Sequence, residues 1–277
     1  SMTIRLNAPA KINLCLHVLA LRPDGRHVLD SLVAFLDCGE WVELRRAAKT
    51  SLQIIGPQSA NLPVSADNLV LRAAGLFPAG CDTEITLHKT MPIASGIGGG
   101  SSDAAATLNG MAQLWDLPLP DVTTQLDLGA DVPVCMRSRP VVMQGIGEII
   151  SLLPKLPPLF ACLVNPACAV STVLIFNQLV SKANPAMDAL PGDILQIPDW
   201  LAQQRNDLQA PAILAEPMVT SVLTELRAHA PIVSRMSGSG ATCFALFKSL
   251  EAAQFCAQTT QAAHPNWWTA SGPLLAS

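Results

Sequence analysis

The residues with the clearest chemical potential lie between Pro92 and Ala106, in the run PIASGIGGGSSDAAA. Gly96, Gly98, Gly99 and Gly100 accept positive φ without a Cβ penalty, so their successive amides can turn inward around an anion. Ser101, Ser102 and Asp103 follow where an N-cap belongs, and Ala104, Leu108, Met111, Ala112 and Trp115 recur at helical spacing. First-turn amides and the positive end of a helix dipole suit an oligoanion such as a phosphate chain. The alternative is a hinge or a tight helix entry. The run is not a Walker A loop, because Ser101 stands where that motif needs a lysine.

Two further segments carry groups for proton and charge work. Lys11, Asn13 and His17 form the polar side of a strongly apolar alternating stretch. A lysine near a phosphate loop could neutralise charge on a transferring phosphoryl group, whereas a snorkelling lysine would need no such role, and His17 alone reads as structural. Asp131 sits in LGADVP, enclosed by Gly129, Ala130, Val132 and Pro133. It reads either as a turn or N-cap aspartate or as a carboxylate able to accept or orient a hydroxyl proton.

The elements that must hold these groups are readable from periodicity. Residues 4–20 alternate with period two and predict a strand, split at Pro9; Arg22 to Gly25 predicts a turn, and Val28 to Leu36 and Trp41 to Leu44 predict further strands. Helices are expected over 67–77 and 102–115, with a strand at 84–88. Pro154, Pro157 and Pro158 interrupt the pattern, and the domain boundary is placed there, giving lobes 1–155 and 156–277. Beyond it, Phe160 to Val164 and Cys243 to Phe247 read as strands, 171–181 and 220–230 as helices, and 182–199 as a proline-rich loop. Strands and helices are mixed rather than strictly alternating, which predicts an α+β fold in two lobes.

Composition narrows the class. The 277 residues are 50% hydrophobic and 14% charged, enough apolar content for a sizeable core with little disorder. A net charge of −4 without a basic run argues against a nucleic-acid partner. The most apolar stretch, Leu152 to Phe176, contains Lys155, Asn165 and several prolines, so no membrane span is expected. The eight cysteines form no C-x-x-C pair and read as buried reduced thiols, which predicts a cytoplasmic location.

Six ordered segments resemble the GHMP kinase family: APAKINL at 8–14, RPDG at 22–25 with His27, the glycine loop, LGADVP at 128–133, NDL at 206–208 and SGSG at 237–240. Within the family they are most similar to the branch acting on a diphosphocytidyl alcohol. The resemblance implies a ribosomal protein S5 domain 2-like N-terminal lobe and a ferredoxin-like C-terminal lobe, with the active site between them. It implies ATP with Mg²⁺, metal ligands unassigned, and transfer of the γ-phosphoryl group to a hydroxyl of a small-molecule diphosphocytidyl substrate. The homoserine- and mevalonate-type kinases and a non-catalytic nucleotide-binding regulator are the alternatives. A monomer or weak homodimer is expected.

Residue by residue, the resemblance assigns Gly96, Gly98, Gly99, Gly100, Ser101 and Ser102 to the ATP phosphates, and Asn68 and Lys89 to the adenine end. It makes Asp131 the catalytic aspartate and Lys11 its activating lysine, and gives Asn13, His27 and Phe176 to the diphosphocytidyl substrate. The family commonly carries Asp-Gly-Tyr-His, whereas this chain has Asp24-Gly-Arg26-His27 and no tyrosine at all. Arg26 then offers a guanidinium plane in place of a ring, with the cytosine between it or His27 and Phe176, or projects into solvent.

Overall fold

A computed structural model describes residues 2–276 apart from Pro63, Ala66 and Pro154, with Asn61 described in its backbone alone. Pro154, one of the prolines of the inferred break, therefore lies outside the described residues. In chain order the elements are β1 (Thr3–Asn7), β2 (Ala10–Leu21), β3 (His27–Leu36), β4 (Trp41–Arg46), β5 (Ser51–Ile55), α1 (Leu69–Ala74), β6 (Thr83–His88), α2 (Gly99–Trp115), α3 (Val122–Leu128), α4 (Val132–Cys135), β7 (Val141–Gly145) and β8 (Ile149–Leu152). They continue with β9 (Phe160–Asn165), α5 (Thr172–Asn177), α6 (Ile197–Ala202), α7 (Gln209–Ala215), α8 (Met218–Arg227), β10 (Val233–Met236), β11 (Cys243–Phe247), α9 (Leu250–Ala263) and β12 (Trp268–Pro273).

Two compact units result, each discontinuous in sequence: residues 1–10, 37–93 and 98–137 form the first, and residues 11–36, 94–97 and 138–277 the second. In the first, a sheet of order β1-β4-β6-β5 is antiparallel except for the parallel β5–β6 pair. Val42 and Leu44 of β4, Ile85 and Leu87 of β6 and Ala106, Met111 and Leu114 of α2 fill its core. Pro9 has no N–H to donate, and the chain divides there into β1 and β2 as the sequence predicts.

In the second unit one sheet has order β2-β3-β7-β8 and another β10-β11-β9-β12. Alternation along β2 is real, yet both sides are buried: Lys11, Asn13, Cys15 and His17 are as enclosed as Ile12 and Leu14. The helix expected over 171–181 is shorter, because Ser171 caps it through Leu174 N–H and Gln178 closes it. The 182–199 stretch is irregular until residue 194, and its end enters α6. Among the described residues no helix is long and apolar enough to cross a membrane. All eight cysteines are free thiols.

Candidate active site

The start of α2 differs from the sequence expectation in one instructive way. The N-cap is Gly98, at φ +61°, and the helix begins at Gly99, so Ser101, Ser102 and Asp103 are first-turn and second-turn residues rather than caps. Of the four glycines only Gly96 and Gly98 take positive φ, as does Ala94 ahead of them; Gly99 and Gly100 are helical. A left-handed cap with no side chain outcompetes the serines because it turns the chain without occupying the amides. The first-turn N–H groups thus carry no side-chain cap, as an anion site requires. Ser102 Oγ is buried with no hydrogen-bond partner. An unpartnered buried hydroxyl beside uncapped amides suits a phosphate chain.

Behind that turn lies a sealed ionic cluster. Lys89 Nζ donates to Glu40 Oε2 at 2.9 Å and to Asp103 Oδ2 at 2.8 Å, with all three side chains at most 3% exposed. Burial would lower the Lys89 pKa, but the carboxyl groups of Asp103 and Glu40 that accept from it outweigh burial and raise it. Lys89 Nζ is committed to these carboxylates, and a Cβ on Gly99 would stand 3.1 Å from it. Asp103, tempting as a metal ligand from its place after the loop, spends one carboxylate oxygen on this lysine. Asn68 caps α1, its Oδ1 accepting from Val70 N–H at 2.8 Å.

Asp131 occupies the N-cap position of α4, yet its side chain makes no capping hydrogen bond. The half-buried carboxylate therefore stands at a helix entrance without serving it, which removes the capping explanation for its presence.

In the second unit a chain of hydrogen bonds orders the polar side of β2. Lys11 Nζ donates to Asn13 Oδ1 at 2.7 Å, Asn13 Nδ2 to Ser31 Oγ at 3.0 Å, and Ser31 Oγ to Cys15 O at 2.6 Å. Asn13 N–H donates to Ser237 Oγ, which donates to Gly96 O. The lysine is thus held by an oriented amide rather than left to snorkel. Gly96, at φ +80°, packs its Cα against the 237–240 turn: a Cβ would lie 2.4 Å from Ser237 O and 2.8 Å from Gly240 N. Asn206 Nδ2 ties that turn from the other side, donating to Met236 O at 2.8 Å and Gly238 O at 2.9 Å. Sequence reasoning assigned no role to Glu40, Ser31 or Asn206. Only Asn206, inside the NDL segment, carried a signal that could have found it.

His27 and Phe176 meet directly, with ring centroids 4.5 Å apart at 32°. This corrects the expected sandwich in one respect, since two rings in contact leave no gap for a base between them. Arg26 is exposed in the turn, where its N–H donates to Asp24 Oδ1. His27 Nε2 is buried without a partner, and burial, reinforced by the Lys182 charge, lowers the His27 pKa and keeps the ring neutral. His17 is structural: Nδ1 lies 3.2 Å from Pro185 O while Nε2 accepts Arg205 N–H, and burial lowers its pKa. The same irregular segment is fixed by Asn184 N–H to Val18 O, Met187 N–H to Asp30 Oδ2 and Asp188 N–H to Gln204 Oε1.

Comparison with known proteins gives a consistent answer. Residues 61–139 match the family model for the GHMP kinases N terminal domain, and residues 185–265 match the GHMP kinases C terminal model. A Cereibacter sphaeroides protein named 4-diphosphocytidyl-2-C-methyl-D-erythritol kinase is 51% identical over 266 residues, covering 94% of this chain and 95% of its own. A crystal structure of 4-(cytidine 5'-diphospho)-2C-methyl-D-erythritol kinase superposes with a TM-score of 0.82 at 29% identity, covering 98% of this chain and 99% of that one. Homoserine kinase from Cytophaga hutchinsonii shares the fold, with a TM-score of 0.73 at 22% identity over 100% of this chain and 96% of that one. This chain, with its glycine-opened helix and its matches to both family models, belongs to the GHMP kinase family.

Proposed function

We propose that this chain transfers the γ-phosphoryl group of ATP to the 2-hydroxyl of 4-diphosphocytidyl-2-C-methyl-D-erythritol. The observation that carries the substrate is the 51% identity, over nearly the full length of both chains, to a relative bearing that kinase's name. Bound ATP, with Mg²⁺ as its counter-ion, supplies the phosphoryl group; no side chain is assigned to the metal. The uncapped first turn of α2, from Gly99 to Ser101, and the unpartnered Ser102 hydroxyl hold the phosphates, with Gly96, Gly98 and Gly100 giving the loop its close approach. Asn68 flanks the adenine end, while Lys89, expected there too, is sealed under the helix start and reaches the nucleotide only through it.

Asp131 accepts or orients the proton of the acceptor hydroxyl, and Lys11, fixed by Asn13, offsets charge on the transferring group. His27 Nε2, buried, neutral and unpartnered, is placed to hydrogen-bond a cytosine edge. The base lies edge-on to the His27 ring and over the adjoining edge of Phe176, and Arg26 covers it from the turn. A cytoplasmic setting, in keeping with eight free thiols, belongs to the same reading.

The test is a phosphorylation assay with ATP across the diphosphocytidyl alcohol, homoserine and mevalonate. Turnover confined to the first supports the proposal, and comparable turnover of all three removes the substrate. In a folded Asp131→Asn protein kcat should fall by at least about a hundredfold, because the group acting on the nucleophile is lost. Near-normal kcat would strip Asp131 of its role.

A further inference from the structure

The cluster under the α2 start holds two carboxyl groups against one ammonium, so full ionisation would leave one excess negative charge in a dry interior. The two acids are not equivalent. Glu40 accepts three hydrogen bonds over its two oxygens: Thr90 N–H at 2.9 Å and Met91 N–H at 3.0 Å on Oε1, and Lys89 on Oε2. Three donors on one carboxyl favour its charged form. Asp103 accepts from Lys89 alone on Oδ2, and its Oδ1 is buried without a partner. An ionised oxygen in that position would carry the full cost of desolvation.

We propose that Asp103 is a positioning residue that carries a proton at neutral pH, making the Lys89–Glu40–Asp103 cluster electrically neutral beneath the helix start that receives the nucleotide phosphates. The proposal rests on the ATP-site reading above. Burial, reinforced by the Glu40 charge and opposed by Lys89, holds the Asp103 carboxyl well above the usual carboxylate range. The other charged side chains on elements packed against α2 are Arg5 of β1, Glu43, Arg45 and Arg46 of β4 and Arg72 of α1. Arg5 pairs with Glu43, Arg45 with Glu84, Arg46 donates to Leu114 O, and Arg72 is exposed. Asp131 precedes α4, which carries no charge. Lys89 and Glu40 are the charged groups that act on Asp103.

The cluster positions because its members come from three places. Asp103 belongs to α2, Glu40 precedes β4 and binds the amides leading into the glycine loop, and Lys89 packs under Gly99. Neutrality matters because an extra negative charge there would oppose a triphosphate. The sign follows: the folded-state pKa lies above the unfolded one, so the proton is held at neutral pH and lost as pH rises. ATP affinity falls in the same direction.

The infrared spectrum at pH 7 should carry a protonated-carboxyl band that Asp103→Asn removes. ATP titrations should give Asp103→Asn a Kd within about threefold of the parent at neutral pH, and a Kd that stays flat through the alkaline range in which the parent's rises several-fold. Lys89→Met should weaken ATP at least about tenfold, through KM more than kcat. Absence of the band overturns the proposal. So does an alkaline loss of ATP affinity that persists unchanged in Asp103→Asn. If no form binds ATP, the ATP-site reading fails while the band still decides the protonation of Asp103.

Discussion

The two glycine-serine segments of this chain are alike in composition and opposite in use. In the 237–240 turn the protein itself takes up much of the polar backbone: Ser237 N–H binds Thr242 O, Gly240 N–H binds Ser237 O, and Asn206 takes Met236 O and Gly238 O. At the start of α2 the left-handed Gly98 opens a helix with no side chain on its first amides. One segment is finished by the protein and braces the Asn13 backbone; the other is left for a ligand to finish. Whether a glycine loop binds is decided by where its donors go.

Substitutions at the two segments should separate stability from affinity. The largest effect is expected for Gly96→Ala, whose Cβ would meet Ser237 O at 2.4 Å on a residue at φ +80°. It should lose about 2–4 kcal/mol by chemical denaturation. A loss below about 1 kcal/mol would mean that the brace yields easily.

Asn206→Ala strands two carbonyls of the finished turn and should cost about 2–3 kcal/mol, with KM for ATP little changed. If ATP binding collapses while stability holds, the division between bracing and binding segments fails. Gly99→Val should act in reverse, raising KM for ATP about tenfold or more by crowding Lys89 Nζ and the phosphates, with a smaller stability change. Unfolding without a separable binding defect would make the α2 start a packing hinge.

Phe176→Ala should raise KM for the diphosphocytidyl substrate roughly five- to a hundredfold, since stacking a base on an aromatic is worth about 1–3 kcal/mol, and leave KM for ATP alone. Arg26→Ala should shift the same KM less. No shift at all in Arg26→Ala would make it a solvated side chain.

Legibility in the sequence followed the range of the interactions. The Pro9 break, β3, β6, β9 and β11 were readable because alternation and proline act within a few residues. The start of α2 was misread for a local reason too: Ser101 and Ser102 are good caps, but Gly98 reaches the left-handed region that neither serine favours. Helix α9 escaped because its buried side is Ala253, Cys256, Ala257 and Thr260, too small to give a strong apolar stripe. β12 carries no clear alternation and ends in Gly272 and Pro273, which weaken a strand pattern. Lys89 was visible as a candidate, but its partners Glu40 and Asp103 stand 49 and 14 residues away, so only the fold could show that its charge is met internally.

The segment from Asn184 to Asp188 has no helix or strand, yet three of its amides are bound to Val18 O, Asp30 and Gln204. Hydrogen–deuterium exchange should therefore find slow amides at 184, 187 and 188, exchanging with the opening of the β2–β3 sheet rather than with solvent-exposed loops. A protease given this chain will pass over a proline-rich stretch that looks like an easy place to cut.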